Sequence, residues 1–195
     1  MSTPPRILAF AGSLRRDSLN KKLVRIAAEG ARAAGGEVTL IDLKDLPLPV
    51  FDEDIETSEG LPANAKAFKQ LMKSNQGFLI SSPEYNSMPS GALKNALDWA
   101  SRAEPGEAPL ACFKGKVCVL MSASPGALGG MRALPVLRNM LLNIHVIVLP
   151  DQVGLMRAHE AFDDAGRLKD PKQQASAEAL GARLVEMLRR LSVPG

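Results

Sequence analysis

Residues Gly12-Ser-Leu-Arg-Arg-Asp-Ser-Leu-Asn20 crowd two hydroxyls, a side-chain amide and two guanidinium groups into one short connection. An apolar run precedes the connection and a helix-like stretch follows it. Ser13 and Ser18 can donate O–H groups, Asn20 an amide, and Arg15 carries a charge. A helix starting here adds unpaired N–H groups and the positive end of its dipole. Such a combination suits an oxyanion, above all a phosphate. The stretch lacks the glycine–lysine pair of a GxxxxGK(S/T) triphosphate loop and the spacing of a GxGxxG dinucleotide fingerprint. It reads as a cradle for a monophosphate, built from hydroxyls and amides without lysine or magnesium. A plainer alternative stays open, in which Ser18 is only a helix N-cap and the arginines are solvated.

Two further stretches carry unusual chemistry. Residues 83–90, Pro-Glu-Tyr-Asn-Ser-Met-Pro-Ser, hold two prolines and the chain's single tyrosine, Tyr85. A tyrosine in a stiff, backbone-rich loop can flank a planar ring, and loop N–H groups can bond its heteroatoms; a surface turn with a packed tyrosine is the alternative. Residues 124–130, Ser-Pro-Gly-Ala-Leu-Gly-Gly, form a glycine-rich loop.

Hydrophobic periodicity says what must position these loops. Residues 7–11, 38–41, 77–81, 116–122 and 144–149 are short apolar runs and read as buried strands. Between them, 19–34, 62–73, 91–102 and 131–142 place apolar residues at helical spacing, as Leu23, Ile26, Ala27 and Ala31 do in the first. Residues 172–191 read as a closing helix, 42–60 as a long acidic loop, and 150–171 as irregular chain. Strand and helix alternate throughout, which argues an α/β fold: a doubly wound parallel sheet with helices on both faces. In a five-stranded sheet of order 2-1-3-4-5 the first, third and fourth strands are neighbours, and ligands bind beyond their carboxyl ends. The loops 12–20, 83–90 and 124–130 are those that follow these strands, so topology and composition point to one site. No repeat or linker interrupts the chain, and residues 1–195 read as a single domain.

Bulk composition narrows the function class. The 195 residues are 46% hydrophobic and 23% charged, as in ordinary globular proteins. A net charge of +3 suits small anions but is too weak and scattered for nucleic acid. Cys112 and Cys118 show no metal-binding spacing, and Cys118 sits in an apolar run as a small core residue. No segment resembles a signal peptide or approaches the length of a membrane span, so a cytoplasmic protein is expected. His145, in the fifth strand, and His159, in the irregular tail, have no nucleophile or acid patterned around them and read as structural.

Taken together, "GSLRRDSLN", "PEYNSMPSGALKNALDWASR" and "SPGALGG" resemble the NADPH-dependent FMN reductase family. Within that family the sequence looks like the bacterial quinone reductases, also described as chromate reductases. The likeness runs from Arg6 to about Leu149, and "LPLPVFDED" fits the family's long loop after the second strand. The resemblance implies a flavodoxin-like fold, a non-covalently held FMN, NADPH or NADH as electron donor, and a homodimer or homotetramer. It implies that Ser13, Arg15, Ser18, Leu19 and Asn20 hold the FMN phosphate. Pro83, Glu84, Tyr85 and Asn86 would line the isoalloxazine, with Ser124 and its neighbours completing the ring pocket. Ala123 stands where close relatives often carry a hydroxyl. The polar residues Lys94, Asn95, Asp98 and Arg102 would face a subunit interface, with Lys94 and Asp98 spaced for an ion pair. The implied reaction carries electrons from NAD(P)H through FMN to a small-molecule acceptor such as a quinone, free flavin, azo compound or metal oxyanion. The cofactor supplies that chemistry, so no catalytic acid, base or nucleophile is expected. An electron carrier of flavodoxin type, without efficient NAD(P)H turnover, is the competing expectation.

Overall fold

The computed structural model describes residues 3–192. The chain runs β1 (Arg6–Ala11), α1 (Leu19–Ala33), β2 (Glu37–Asp42), α2 (Glu53–Glu59), α3 (Ala63–Ser74) and β3 (Gly77–Ser81). A small pair of strands, β4 (Glu84–Tyr85) and β5 (Met88–Pro89), precedes α4 (Gly91–Ser101). Then come β6 (Val117–Ala123), α5 (Ala133–Asn143), β7 (Ile147–Leu155), α6 (Ala158–Ala161) and α7 (Pro171–Leu191).

Every residue of β3 and β6 is buried, and all but Ser81 and Ser122 near their ends are non-polar, because both faces of these strands are covered. On one face Ile7, Ala9, Leu79, Val119 and Met121 pack against α1 and α7. On the other, Leu8, Phe10, Phe78, Ile80 and Leu120 pack against α3, α4 and α5. All five sheet strands are parallel, in the order β2-β1-β3-β6-β7. Counting sheet strands alone, this is the expected 2-1-3-4-5, with helices on both faces.

The structure corrects the expected elements at three places. The acidic stretch after β2 contains a helix, α2. Asp52 caps it through a hydrogen bond from the Asp54 N–H, Glu53, Asp54 and Glu56 sit at its positive end, and Gly60 closes it at φ 75°. None of its residues is buried, so it has no apolar stripe for periodicity to detect. The fifth sheet strand starts later and ends later than expected. His145 is not in a strand: at φ 64° it takes the left-handed position that ends α5, its N–H donating to Leu142 O while the Val146 N–H donates to Leu141 O. Beyond it, β7 continues through Pro150 to Leu155 by a bulge, where the pairing jumps from Cys118↔Val148 to Leu120↔Gln152. Arg138 supports the bulge, donating to Val148 O at 3.2 Å, Leu149 O at 2.7 Å and Gln152 Oε1 at 3.1 Å. The stretch expected to be irregular therefore begins as strand and also contains α6.

Two glycines bring α1 and α7 into backbone contact. A Cβ on Gly30 would lie 2.0 Å from the Glu178 carbonyl oxygen, and one on Gly181 would lie 1.9 Å from that of Ala27. Alanine is the better helix former by about 1 kcal/mol, so propensity alone favours replacing both. Overpacking opposes it at about 1–3 kcal/mol, and rigid backbone on the other side leaves no side chain to move. Gly30→Ala and Gly181→Ala are each expected to lower the urea unfolding midpoint, whereas a pair limited by propensity would raise it.

Candidate functional site

The loops after β1, β3 and β6 meet beyond the carboxyl ends of these strands and enclose a cleft of about 190 Å³. Ser13, Arg15, Ser18, Leu19 and Asn20 line it from the first loop, Pro83, Glu84 and Tyr85 from the second, and Ala123, Ser124 and Pro125 from the third. Every residue singled out from the sequence is therefore on the cleft wall except Asn86. Ala123 and Pro125 are the neighbours of Ser124 on that wall.

Ser18 is the N-cap of α1, its Oγ accepting the Lys21 N–H at 3.4 Å. The first backbone bond at this end runs from Lys22 N–H to Ser18 O, at 3.2 Å. The N–H groups of Leu19 and Asn20 precede it and have no acceptor within the helix. Ser13 is also buried, its Oγ accepting the Arg15 N–H. Among the described residues no carboxylate pairs with Arg15. Lys21 is committed elsewhere, to Asp42 at the end of β2, at 2.5 Å.

Asn20 does more than line the wall. It is 3% exposed, and its Oδ1 accepts both the Ser81 hydroxyl at 2.8 Å and the Ala123 N–H at 2.9 Å. Its Nδ2 donates to Ala123 O at 2.8 Å. The side-chain amide pairs with Ala123 as a neighbouring peptide group would, and it ties α1 to the ends of β3 and β6. The acceptor oxygen is fully used, and one N–H remains.

Ser90 joins the first two loops. Its Oγ caps α4 by accepting the Leu93 N–H at 3.2 Å, and its hydroxyl donates to Gly12 O. Gly12 is needed for this approach, since a Cβ there would lie 2.7 Å from Leu93 Cβ.

Within the second loop, Tyr85 pairs with Met88 across β4 and β5, and Asn86 and Ser87 turn the hairpin at φ 52° and 66°. Positive φ at both central residues is the signature of a type I′ turn. Asparagine tolerates that conformation, whereas serine is strained in it. Asn86 shapes the turn that carries Tyr85 and is not among the residues that line the cleft of about 190 Å³.

Glu84 has a firm structural assignment. Its side chain is only 6% exposed, and its carboxylate accepts the Arg132 N–H at 3.0 Å, the Ala133 N–H at 3.0 Å and Arg132 Nε at 2.8 Å. Because Arg132, the N-cap of α5, makes no capping bond of its own, Glu84 supplies the cap from another loop. Burial alone would raise the Glu84 pKa, but the Arg132 guanidinium and the two backbone N–H groups outweigh it and hold the carboxyl below its usual range.

The glycine-rich loop is fixed from below. Ser124 N–H donates to Leu155 O at 3.0 Å, Ala158 N–H to Ser124 O at 2.9 Å, and Arg157 N–H to Gly126 O at 3.2 Å. Gly129 and Gly130 have φ 59° and 81°, and a Cβ on Gly130 would overlap the Ser122 hydroxyl at 1.8 Å. Neither thiol lines the cleft, and burial pushes Cys112 up to about 11 and Cys118 further. Among the described residues no group of three or more His, Cys, Asp or Glu side chains could hold a metal, and no helix is long and apolar enough to cross a membrane.

The family described as NADPH-dependent FMN reductase matches residues 5–160. An NAD(P)H-dependent FMN reductase of Pseudomonas aeruginosa is 35% identical, over 98% of this chain and 99% of that protein. A quinone reductase of Escherichia coli is 30% identical, over 99% of this chain and 100% of that protein. Among solved structures, a flavoenzyme NAD(P)H:(acceptor) oxidoreductase from Paracoccus denitrificans superimposes with a TM-score of 0.80 at 26% identity, covering 95% of this chain and 98% of that one.

The Glu84 cap sets a pH dependence. Its folded pKa lies below the unfolded value near 4.5, so its contribution is full above that pH and is lost as pH falls through the folded pKa. Glu84→Gln is expected to cost about 2 kcal/mol at pH 7. The variant's loss of stability on acidification should also be shallower than the wild type's. Urea titrations at pH 7 and near pH 3 measure both, and parallel losses in the two proteins would contradict the assignment.

Proposed function

The chain belongs to the NADPH-dependent FMN reductase family, and from that premise we propose that its three-loop cleft holds FMN and passes electrons from NAD(P)H to quinones. The balanced reaction is NAD(P)H, a proton and a quinone giving NAD(P)⁺ and the quinol. FMN, when bound, supplies the hydride-accepting ring. The chain's own residues bind and orient the participants.

One observation carries this reading. Two buried hydroxyls, an unpaired guanidinium and the N-terminus of α1 share a single cleft with a tyrosine-bearing hairpin. Ser13, Ser18, Arg15 and the N–H groups of Leu19 and Asn20 meet the phosphate, where a helix N-terminus favours an anion. The side-chain contribution of Asn20 is limited to its one uncommitted N–H. Pro83, the Glu84 main chain, Tyr85 and Ser124 flank the ring. Asn86, at the turn of the same hairpin, also borders the ring in this reading. The cleft continues into a depression of about 380 Å³ bordered by Gly12 to Arg15, Tyr85 and Ser90 to Ala92, which gives the second substrate room beside the cofactor.

Within the same reading the whole chain, 1–195, works as one cytoplasmic FMN-binding domain and assembles as a homodimer or homotetramer. Exposed apolar side chains on α5 and β7, among them Val136, Leu142 and Ile147, support assembly through that edge. The interface expected on α4 has weaker support. Asn95 and Arg102 are engaged within the chain, with Phe51 and Glu56, and Lys94 pairs with Asp98 at 2.7 Å.

The direct test is the visible spectrum of protein loaded with FMN and desalted, followed by NADPH without oxygen and then a quinone. Retained flavin absorbance that NADPH bleaches and the quinone restores is the expected result. A colourless protein would overturn the reading, and bound flavin left oxidised by NADPH would favour an electron carrier.

Arg15→Ala is expected to weaken FMN binding at least about tenfold with the apo-protein's unfolding midpoint unchanged, because the side chain is exposed. Ser18→Ala should weaken FMN binding and also cost about 1 kcal/mol of stability as a lost cap. Fluorescence titration with FMN and urea unfolding separate the two effects.

A further inference from the structure

We propose that the protein carries a preformed apolar recess beside the cofactor cleft that takes the hydrocarbon tail of its acceptor, making tail-bearing quinones better substrates than bare rings. The inference rests on the quinone reductase reading above.

The recess encloses about 260 Å³ between α4 and the segment after β2. Leu43 and Ala96 are its buried residues, and Leu14, Leu46, Leu48 and Ala92 complete its apolar lining. It exists because α4 presents alanines, not large side chains, toward the three leucines of the facing segment. It stays open because that segment is pinned. Asn64 Nδ2 donates to Pro47 O at 2.8 Å, and Asn95 Nδ2 and Trp99 Nε1 donate to Pro49 O at 2.8 and 2.9 Å. Proline at both positions further stiffens the wall.

Two features choose the ligand chemistry. The first is polarity. The polar lining is Asn95, whose Oδ1 and Nδ2 are already bonded to Phe51 N–H and Pro49 O, and the exposed Lys44, its one charged residue. Lys44 could meet a phosphate, but a nucleotide's base and sugar would find few partners here, whereas a hydrocarbon needs none. The second is continuity. Leu14 and Ala92 also border the depression that includes Ser13, Arg15 and Tyr85 of the cofactor cleft. A quinone ring seated near Tyr85 can therefore run its chain past these two residues into the recess. This also accounts for Leu14, a half-exposed leucine in the middle of an anion loop whose type phosphate binding does not require.

The test compares steady-state kcat/KM for a side-chain-free dimethoxy-methyl-benzoquinone with the same ring carrying one or two isoprenoid units, using FMN-loaded enzyme. Each buried methylene is worth about 0.8 kcal/mol, close to fourfold in affinity. A rise of at least tenfold from the bare ring to the longer tail is therefore expected. Leu46→Glu should bring that ratio back toward one and Leu46→Ile should keep it, which separates a recess from the general partitioning of greasy quinones. Ala92→Leu, narrowing the path from the cleft, gives a second variant should Leu46→Glu fail to fold. A wild-type ratio near one would overturn the recess, as would ratios unchanged in both variants. So would variants that shift the KM for NADPH instead, since the recess would then serve the donor. Absence of turnover with any quinone, bare ring included, would refute the reductase reading itself.

Discussion

The geometry of the site depends on one side-chain amide standing in for a peptide group. Just beyond the ends of β1, β3 and β6 the last backbone bonds of the sheet are made, by Gly12 to Ser81 and Ser82 to Met121, and side chains take over the task of holding the loops together. Asn20 pairs with both polar groups of the Ala123 backbone and takes the Ser81 hydroxyl on the same oxygen. All three partners are buried, so leaving any one unbonded costs more than the bond itself contributes in water. The start of α1 is thereby fixed against the sheet, and with it the direction in which its N–H groups point.

Other parts of the site follow the same logic, with each loop held by a group from a different loop. Ser90 caps its own helix and bonds Gly12 O. Glu84 leaves its hairpin to cap α5, which has no capping side chain of its own. Because the carboxylate meets a helix N-terminus and a guanidinium together, it stays charged although nearly buried. The hairpin also carries strained backbone, at Ser87 with φ 66°, as occurs where a fold must hold one side chain in a set position. Glu84, which by residue type could be a general base, is thus a structural anion. That agrees with a reaction whose chemistry resides in a cofactor.

Outside the cleft, several charged side chains serve the structure. Lys69 is fully buried on α3, yet its ammonium meets Glu107 at 2.5 Å and the Arg102 carbonyl, while Glu107 also takes Lys73 at 2.7 Å. Burial would raise the Glu107 carboxyl, but the two ammonium groups dominate and lower it to about 2. The cluster anchors the connection between α4 and β6. Arg102, bonded to Glu56 and stacked over Phe51, anchors α2 to the end of α4. These contacts, with those of Asn95 and Trp99, keep the segment after β2 in place and so maintain the apolar recess at its far side.

Much of this protein was legible in its sequence. Buried parallel strands are nearly continuous apolar runs because helices cover both faces, so β1, β3 and β6 stand out, and their order puts the three chemistry-rich loops together. All the residues chosen from those loops except Asn86 lie on the cleft wall. Helix α2 was marked only by its caps, Asp52 and Gly60, since a helix that buries nothing has no periodic stripe. The extension of β7 through Pro150 needed Arg138 to bond the carbonyls of the bulge, a partner distant in sequence. The work of Asn20 and Glu84 belongs to tertiary structure alone. Residue type and local spacing identify groups able to bind an anion or act as a base. Which bonds those groups make depends on backbone brought to them from 103 residues away at Ala123 and 49 at Ala133, and only the folded chain decides that.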